Sequence, residues 1–174
     1  MQGMNEADRQ HENPPLEEHQ MHHEQPAHIW AAVADGNVLL VSQLLQDHPE
    51  QAAQVAQQTG RTLIHHAAAS QAEVAIKDQL LARIMGMLVE LGADVHAVDL
   101  TGMDASRLLL LEQDDPDSVV HRFIWLAGAL GHENPLQLAA SLMTPEHFQF
   151  LTIIMEILVN DFHYPVGAIH AVEP

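Results

Sequence analysis

Short apolar segments, separated by glycines and prolines, run through most of this 174-residue chain and limit the folds it can adopt. Within each segment the apolar residues recur every three or four positions, the pattern of a helix that buries one face. Aromatic residues make up only 4% of the chain, which also favours packed helices over strands. We therefore predict an all-α chain of eight helices in four successive pairs, at residues 29–34, 38–45, 62–69, 74–91, 106–111, 119–130, 136–142 and 147–159.

Three of the predicted helix starts carry a capping residue followed by proline. These are the pairs Asp115-Pro116, Asn134-Pro135 and Thr144-Pro145. The side-chain oxygen can accept a hydrogen bond from the first turn, and proline at the first helical position lacks an N–H that would have no partner there. The three pairs therefore support the predicted boundaries.

The composition excludes several classes of function. With 6 Lys and Arg against 24 Asp and Glu, and a net charge of −18, the chain has almost no basic residues to hold the phosphates of nucleic acid or anionic membranes. The absence of cysteine excludes disulfides, thiolate nucleophiles and Cys-ligated metals. We expect a cytoplasmic protein that binds neither nucleic acid nor membrane.

Both ends of the chain differ from its middle. Residues 1–25 are acidic and rich in His and Gln, with few large apolar side chains, so we expect a disordered tail. It has no basic start or apolar core, so it is not expected to be a signal peptide, and no later segment has the length and apolarity of a membrane span. Residues 26–162 are expected to form one domain, and 163–174 a tail or lid.

Pairs of short helices prompt a search for repeats. The residues Gly60-Arg61-Thr62-Leu63-Ile64-His65-His66-Ala67-Ala68 resemble the ankyrin opening G-x-T-P-L-H-x-A-A, with leucine in the proline position. Residues 88–102, LVELGADVHAVDLTG, resemble the end of one ankyrin repeat running into the next. The chain is therefore similar to ankyrin-repeat proteins, and the resemblance implies a solenoid of about four helix-turn-helix repeats.

The other repeats match less well. Residues 29–37 resemble a first repeat and 134–140 a fourth, while the third, from Gly102, has leucines where the family has a small pair. The equivalent residues Ala32, Ala67, Leu109 and Ala139 are 35, 42 and 30 residues apart, against a family period of about 33. We expect the nine extra residues to lengthen the second helix of the second repeat. Gly92 and Gly102 are expected to adopt backbone conformations that a Cβ would disfavour.

The resemblance implies a protein-interaction module that performs no chemistry and needs no cofactor. In that family partners bind the turn tips and the concave face of the short helices, and the acidity predicts a basic protein partner. Two roles stay open within this class: a small inhibitor or immunity protein that neutralises a toxin, and a bacterial effector in the host cytoplasm. A monomer or weak homodimer is expected. The corresponding positions here are Arg61, His66, Ser70, Gln71, His96, Val98, Asp99, Leu100, Thr101 and Met103.

The 14 histidines raise the alternative of metal binding. The family motif implies that His65 ties adjacent turns together by hydrogen bonds. The tail cluster Glu17, Glu18, His19, His22, His23 and Glu24 has metal-binding residue types, but a flexible tract defines no ligand geometry, so no metal site is predicted. The chain contains no nucleophile elbow, Gly-rich phosphate loop or HExxH sequence, and we expect no enzymatic activity.

Overall fold

The computed structural model describes residues 28–167, and eight α-helices account for most of them. Within these residues the prediction of an all-α fold is confirmed, and each predicted helix boundary lies within two residues of the observed one. The predicted tail 1–25 and the last seven residues of the predicted segment 163–174 lie outside the described residues. The helices are α1 (Ile29–Ala34), α2 (Val38–Asp47), α3 (Leu63–Ala69), α4 (Ala75–Glu90), α5 (Ala105–Glu112), α6 (Val120–Ala129), α7 (Pro135–Ser141) and α8 (Phe148–Asn160).

The helices pack in a regular order. Each odd-numbered helix contacts the even-numbered helix that follows it. In addition, α3 packs between α1 and α5, and α4 packs between α2 and α6. One continuous apolar core runs through all eight helices, from Ile29 in α1 to Leu158 in α8. Burial of this core against neighbouring helices supplies the driving force that no single short helix has by itself.

Two of the predicted capping pairs mark observed helical starts. The Asn134 Oδ1 accepts from the Leu136 N–H, and Pro135 is the first residue of α7. The Asp115 side chain accepts from the Asp117 N–H and starts the 3₁₀ turn Pro116–Ser118, which leads into α6. Thr144 does not start a helix: its hydroxyl accepts from the His147 N–H in a turn, and α8 begins at Phe148, four residues after Thr144.

Between α3 and α5 the structure agrees with the expected long helix and with the expected conformations of two glycines. The α4 helix has 16 residues and is the longest of the described helices, against ten each in α2 and α6. Gly92 and Gly102 both have positive φ, at 95° and 81°. Residues other than glycine rarely adopt this conformation. Both glycines therefore have the backbone conformation that the sequence predicts for them.

An ion pair lies inside the protein where α3, α4 and α6 meet. Both Asp78 of α4 and Arg122 of α6 are completely buried, and the Arg122 Nε donates to the Asp78 Oδ1 over 2.7 Å. The remaining guanidinium nitrogens donate to backbone carbonyl oxygens of Ala67, Ala68, Ser70 and Ser118. Burial lowers the pKa of Arg122, while its hydrogen bond to Asp78 opposes that shift. Each of the three nitrogens of the buried guanidinium thus has at least one acceptor.

Candidate functional site

The turn 94–103, between α4 and α5, is organised around the carboxylate of Asp99. Its Oδ1 accepts from the Thr101 hydroxyl at 2.5 Å, the Thr101 N–H at 2.8 Å and the Met103 N–H at 3.1 Å. These hydrogen bonds, first of all that from the Thr101 hydroxyl, hold the pKa of Asp99 at about 2, although desolvation acts in the opposite direction. Asp99 is therefore ionised at neutral pH and fixes the path of the turn.

This turn lies against the turn that precedes α3. The Leu100 N–H donates to the Thr59 carbonyl oxygen at 2.9 Å. A Cβ added to Gly60, whose φ is +71°, would lie 2.9 Å from the Leu100 backbone nitrogen, so only glycine fits at this contact. On the outer side of the paired turns, Val98 and Leu100 are 57% and 73% exposed. A rigid turn thus presents two apolar side chains to solvent.

His65 connects the same two turns. Its Nε2 lies 3.0 Å from the Met103 carbonyl oxygen, while its Nδ1 accepts from the Thr62 N–H at 3.1 Å. Since a carbonyl oxygen can only accept, the proton of the neutral ring is on Nε2. The His65 N–H in turn donates to the Thr62 hydroxyl, which completes a capping box at the start of α3. The expectation that His65 ties adjacent turns together is confirmed.

Arg61, in the turn before α3, connects that turn to the 94–103 turn and to α5. Gln71, just after α3, also connects to α5. The Arg61 guanidinium pairs with Asp99 at 3.5 Å through Nε and with Glu112 at 3.2 Å through Nη2. The Gln71 Nε2 donates to the Glu112 carbonyl oxygen at 3.1 Å. Both side chains retain exposed atoms, so each fixes the relative position of the helices while remaining accessible.

His66 lies half-buried beside α1. Its ring contacts the Trp30 ring edge to face, with 5.3 Å between the ring centres. Burial lowers the pKa of His66, a hydrogen bond with the Trp30 backbone opposes the shift, and the positive charge of Arg61 lowers it further. His66 is therefore a neutral ring at pH 7, at the edge of a concave site.

That site is a cavity of about 420 Å³, which we call the α3 cavity. It combines residues from α1, from both ends of α3 and from α4. Its polar side chains can donate hydrogen bonds, and in a chain with so few basic residues it contains both an arginine and a lysine. The lining residues are Ala34, Arg61, His66, Ala69, Ser70, Gln71 and Lys77.

The ten residues expected to bind a partner lie either at the α3 cavity or on the 94–103 turn. Arg61, His66, Ser70 and Gln71 line the α3 cavity. His96, Val98, Leu100 and Thr101 are exposed on the 94–103 turn, and Met103 is half-buried there. Ser70 and Asp99 are both buried, so their side chains present little surface to a partner. The Ser70 hydroxyl donates to the His66 carbonyl oxygen, and Asp99 has its acceptors occupied.

Sequence reasoning missed four residues that shape this region: Trp30, Lys77, Asp78 and Arg122. Arg122 carried a usable signal, since a charged residue inside the apolar run 119–130 must be paired if that run is buried. Asp78 had a weaker signal of the same kind within α4. The contributions of Trp30 and Lys77 depend on how α1 and α4 sit against α3, which no local pattern specifies.

Other sites in the described residues are less distinctive. A larger cavity of about 750 Å³ lies between α2 and α4 beside Trp125, with mixed polar and apolar lining. Between residues 28 and 167, no three His, Asp or Glu side chains are arranged to hold a metal ion. The His-rich tail cluster, Glu17 to Glu24, lies outside the described residues. No helix in this range combines the length and apolarity needed to cross a membrane.

Comparisons with known proteins leave the function to be argued from the site itself. No family model matches the chain, and no curated protein or solved structure is significantly similar to it.

Proposed function

We propose that this chain is a small ankyrin-repeat module that binds another protein and performs no chemistry itself. The proposed binding surface consists of the 94–103 turn and the adjoining face of α3, which includes the α3 cavity. No catalytic role is assigned to any of its side chains.

Two features support the ankyrin assignment. The packing of α3 between α1 and α5, and of α4 between α2 and α6, is the order expected when helix pairs stack side by side. The hydrogen bonds of His65 to Thr62 and Met103 connect one turn to the next, as the motif implies.

The observation that carries the proposal of binding is the exposure of Val98 and Leu100 on a fixed turn. Both side chains are more than half exposed, although the backbone around them is held by Asp99 and by the contact of Leu100 with Thr59. Because the backbone of the turn is already fixed, a partner that buries these side chains orders only the side chains and not the turn. The turn is therefore pre-organised for a protein contact.

The charge of the chain defines the partner further. A net charge of −18 attracts a basic protein and accelerates its association, and added salt screens that attraction. A basic partner is also what an inhibitor or immunity protein would neutralise. The same surface would serve an effector, so the source of the partner distinguishes the two roles.

The test is an affinity capture with the full chain, at low and moderate salt, from lysates of its own cells and of candidate host cells. The variant Val98→Ser/Leu100→Ser removes the apolar side chains of the turn. The control Leu39→Ser/Ile76→Ser removes two side chains of similar exposure from α2 and α4. We expect the same basic protein with the wild type and the control, and its loss with the turn variant.

The captured protein should then be purified and its affinity measured directly. A drop in affinity of about tenfold or more for the turn variant alone supports the proposal, since apolar anchors at interface centres contribute about 1–3 kcal/mol. Equal affinity for both variants would show that the turn is not the interface. Capture from the chain's own cells would favour the inhibitor role, and capture only from host cells would favour the effector role.

A further inference from the structure

We propose that the α3 cavity is a carboxylate-binding site, which receives a glutamate or aspartate side chain or the C-terminal carboxylate of a protein partner. This inference rests on the proposed function, because it takes the surface around α3 to be a protein-binding surface. The inference adds one specific contact, in which a carboxylate of the partner binds in the α3 cavity although the partner is basic overall.

The cavity brings two basic side chains together in an acidic chain. Two of the five Lys and Arg residues in the described range line it, and His66 adds a third nitrogen-bearing side chain. Arg61 is engaged with Asp99 and Glu112, but the Lys77 ammonium forms no ion pair with any described carboxylate. The charge of Arg61 is balanced by these two carboxylates, so Lys77 is the cation of the cavity that is free to bind an added anion.

The position of Lys77 is fixed by its stem. A Cβ placed on Gly36 would lie 3.4 Å from the Lys77 Cγ and 4.0 Å from its Cε, so the aliphatic chain runs along the turn between α1 and α2. A lysine whose stem packs on the protein keeps its ammonium near one place, which lowers the entropy lost on binding. The half-buried state of Lys77 agrees with this arrangement.

The C-terminal end of α3 would ordinarily repel an anion, because free carbonyl oxygens there carry partial negative charge. Here those oxygens already have donors. Arg122 donates to the carbonyl oxygens of Ala67, Ala68 and Ser70 from behind the cavity, and the Gln113 Nε2 donates to that of Ala69. The carbonyl oxygens at this end of α3 are thus occupied by donors from inside the protein, and their partial negative charge is reduced towards the cavity.

The large negative charge of the chain favours binding of a carboxylate over binding of a phosphate. A phosphate monoester carries nearly two negative charges at pH 7, and a net charge of −18 repels it more strongly than a carboxylate with one charge. A carboxylate on a basic protein carries that single charge within an attractive overall field. One negative group is thus matched to one free ammonium.

The test is a chemical-shift titration of the ¹⁵N-labelled full chain at pH 7 with short glycine-rich peptides. The first peptide has blocked ends and a central glutamate, the second has blocked ends and a central glutamine, and the third has the glutamine and a free C-terminal carboxylate. Inorganic phosphate is a fourth ligand. We expect saturable shifts around α3 and Lys77 with the first or third peptide, at millimolar affinity, and none with the second.

Two variants on α4 provide the matched comparison. Lys77→Gln and Arg83→Gln each remove one positive charge, but Arg83 is exposed and lines the other cavity. We expect Lys77→Gln to weaken binding of the carboxylate peptide about fivefold or more, as loss of a charge-assisted hydrogen bond predicts, and Arg83→Gln to change it less than about twofold.

Equal effects of the two variants, or no saturable shift with either carboxylate peptide, would overturn the assignment. Tighter binding of phosphate than of both carboxylate peptides would also overturn it. The captured protein separates this inference from the proposed function. If Lys77→Gln binds that protein as tightly as the wild type while Val98→Ser/Leu100→Ser does not, the interaction module stands and the carboxylate site does not.

Discussion

The Arg122 Nε lies 2.7 Å from the Asp78 Oδ1, with both side chains removed from solvent, and this pair joins α6 to α4. The other Asp78 oxygen accepts from the backbone N–H of His121 at 2.6 Å. The same carboxylate therefore also binds the first turn of α6. The guanidinium meanwhile closes the end of α3. Two residues thereby fix the relative positions of three helices.

Replacement of Arg122 by methionine should be among the most destabilising single changes in the chain. It would leave the Asp78 charge without its cation and several buried carbonyl oxygens without a donor. We expect a loss of about 3–5 kcal/mol in the free energy of unfolding, measured by urea denaturation. Arg83→Met, on the exposed side of α4, should cost less than about 0.5 kcal/mol. A loss below about 1 kcal/mol for Arg122→Met would contradict the proposed importance of this pair.

His65→Ala should destabilise the protein by separating the 94–103 turn from the start of α3. The change removes the bonds of the ring to Thr62 and to the Met103 carbonyl oxygen, so we expect a loss of about 1–3 kcal/mol. His96→Ala removes an exposed imidazole and should leave the melting temperature nearly unchanged. Thermal unfolding of the two variants measures the difference, and similar melting temperatures would disagree with the bridging role.

Asp99 should make stability depend on pH in the acid range. Its pKa in the folded protein is about 2, below the ordinary aspartate value near 4. The folded state therefore favours the ionised form, and this contribution is fully present above about pH 4 and is lost as the pH falls towards 2.

Comparison of the wild type with Asp99→Asn tests this dependence. The free energies of unfolding should differ by a constant amount above pH 5, and the difference should shrink between pH 4 and pH 2. Thr101→Val should reduce the acid-range effect, because the Thr101 hydroxyl makes the largest contribution to the lowered pKa. A difference that does not vary with pH would mean that the carboxylate charge is not what stabilises the turn.

Gly60→Ala should destabilise the contact between the two turns. The alanine would have to adopt a left-handed backbone conformation, and its Cβ would lie 2.9 Å from the Leu100 backbone nitrogen. We therefore expect a loss of at least about 1–2 kcal/mol in the free energy of unfolding. Gly128→Ala is the matched control, since a Cβ at this helical glycine meets no atom within 4 Å. That change should stabilise α6 by about 0.5–1 kcal/mol. The same sign for both changes in chemical denaturation would contradict this interpretation.

The helices could be predicted from the sequence because their signals are local. The spacing of apolar residues and the capping of α7 by Asn134 and Pro135 do not depend on distant parts of the chain. The 16-residue α4 followed from the uninterrupted apolar spacing between Ala68 and Gly92. The motif around His65 also predicted correctly that this ring connects two turns.

The candidate site was predictable only in part. Val98 and Leu100 are exposed, but Asp99, which lies between them in the sequence, turns inward to bind Thr101 and Met103. A carboxylate that can satisfy three nearby donors is more stable inside its own turn than in water beside it. Sequence spacing alone did not distinguish these two states.

The sequence by itself determined that the chain is helical, where its helices begin and end, and how acidic it is, because those properties depend on residues close together or on simple counts. Only the tertiary structure decided that Arg122 reaches the end of α3, and that Lys77 joins Arg61 and His66 around one cavity. These residues are separated by many positions along the chain. Their meeting depends on how whole helices pack, and so on the burial of the entire core.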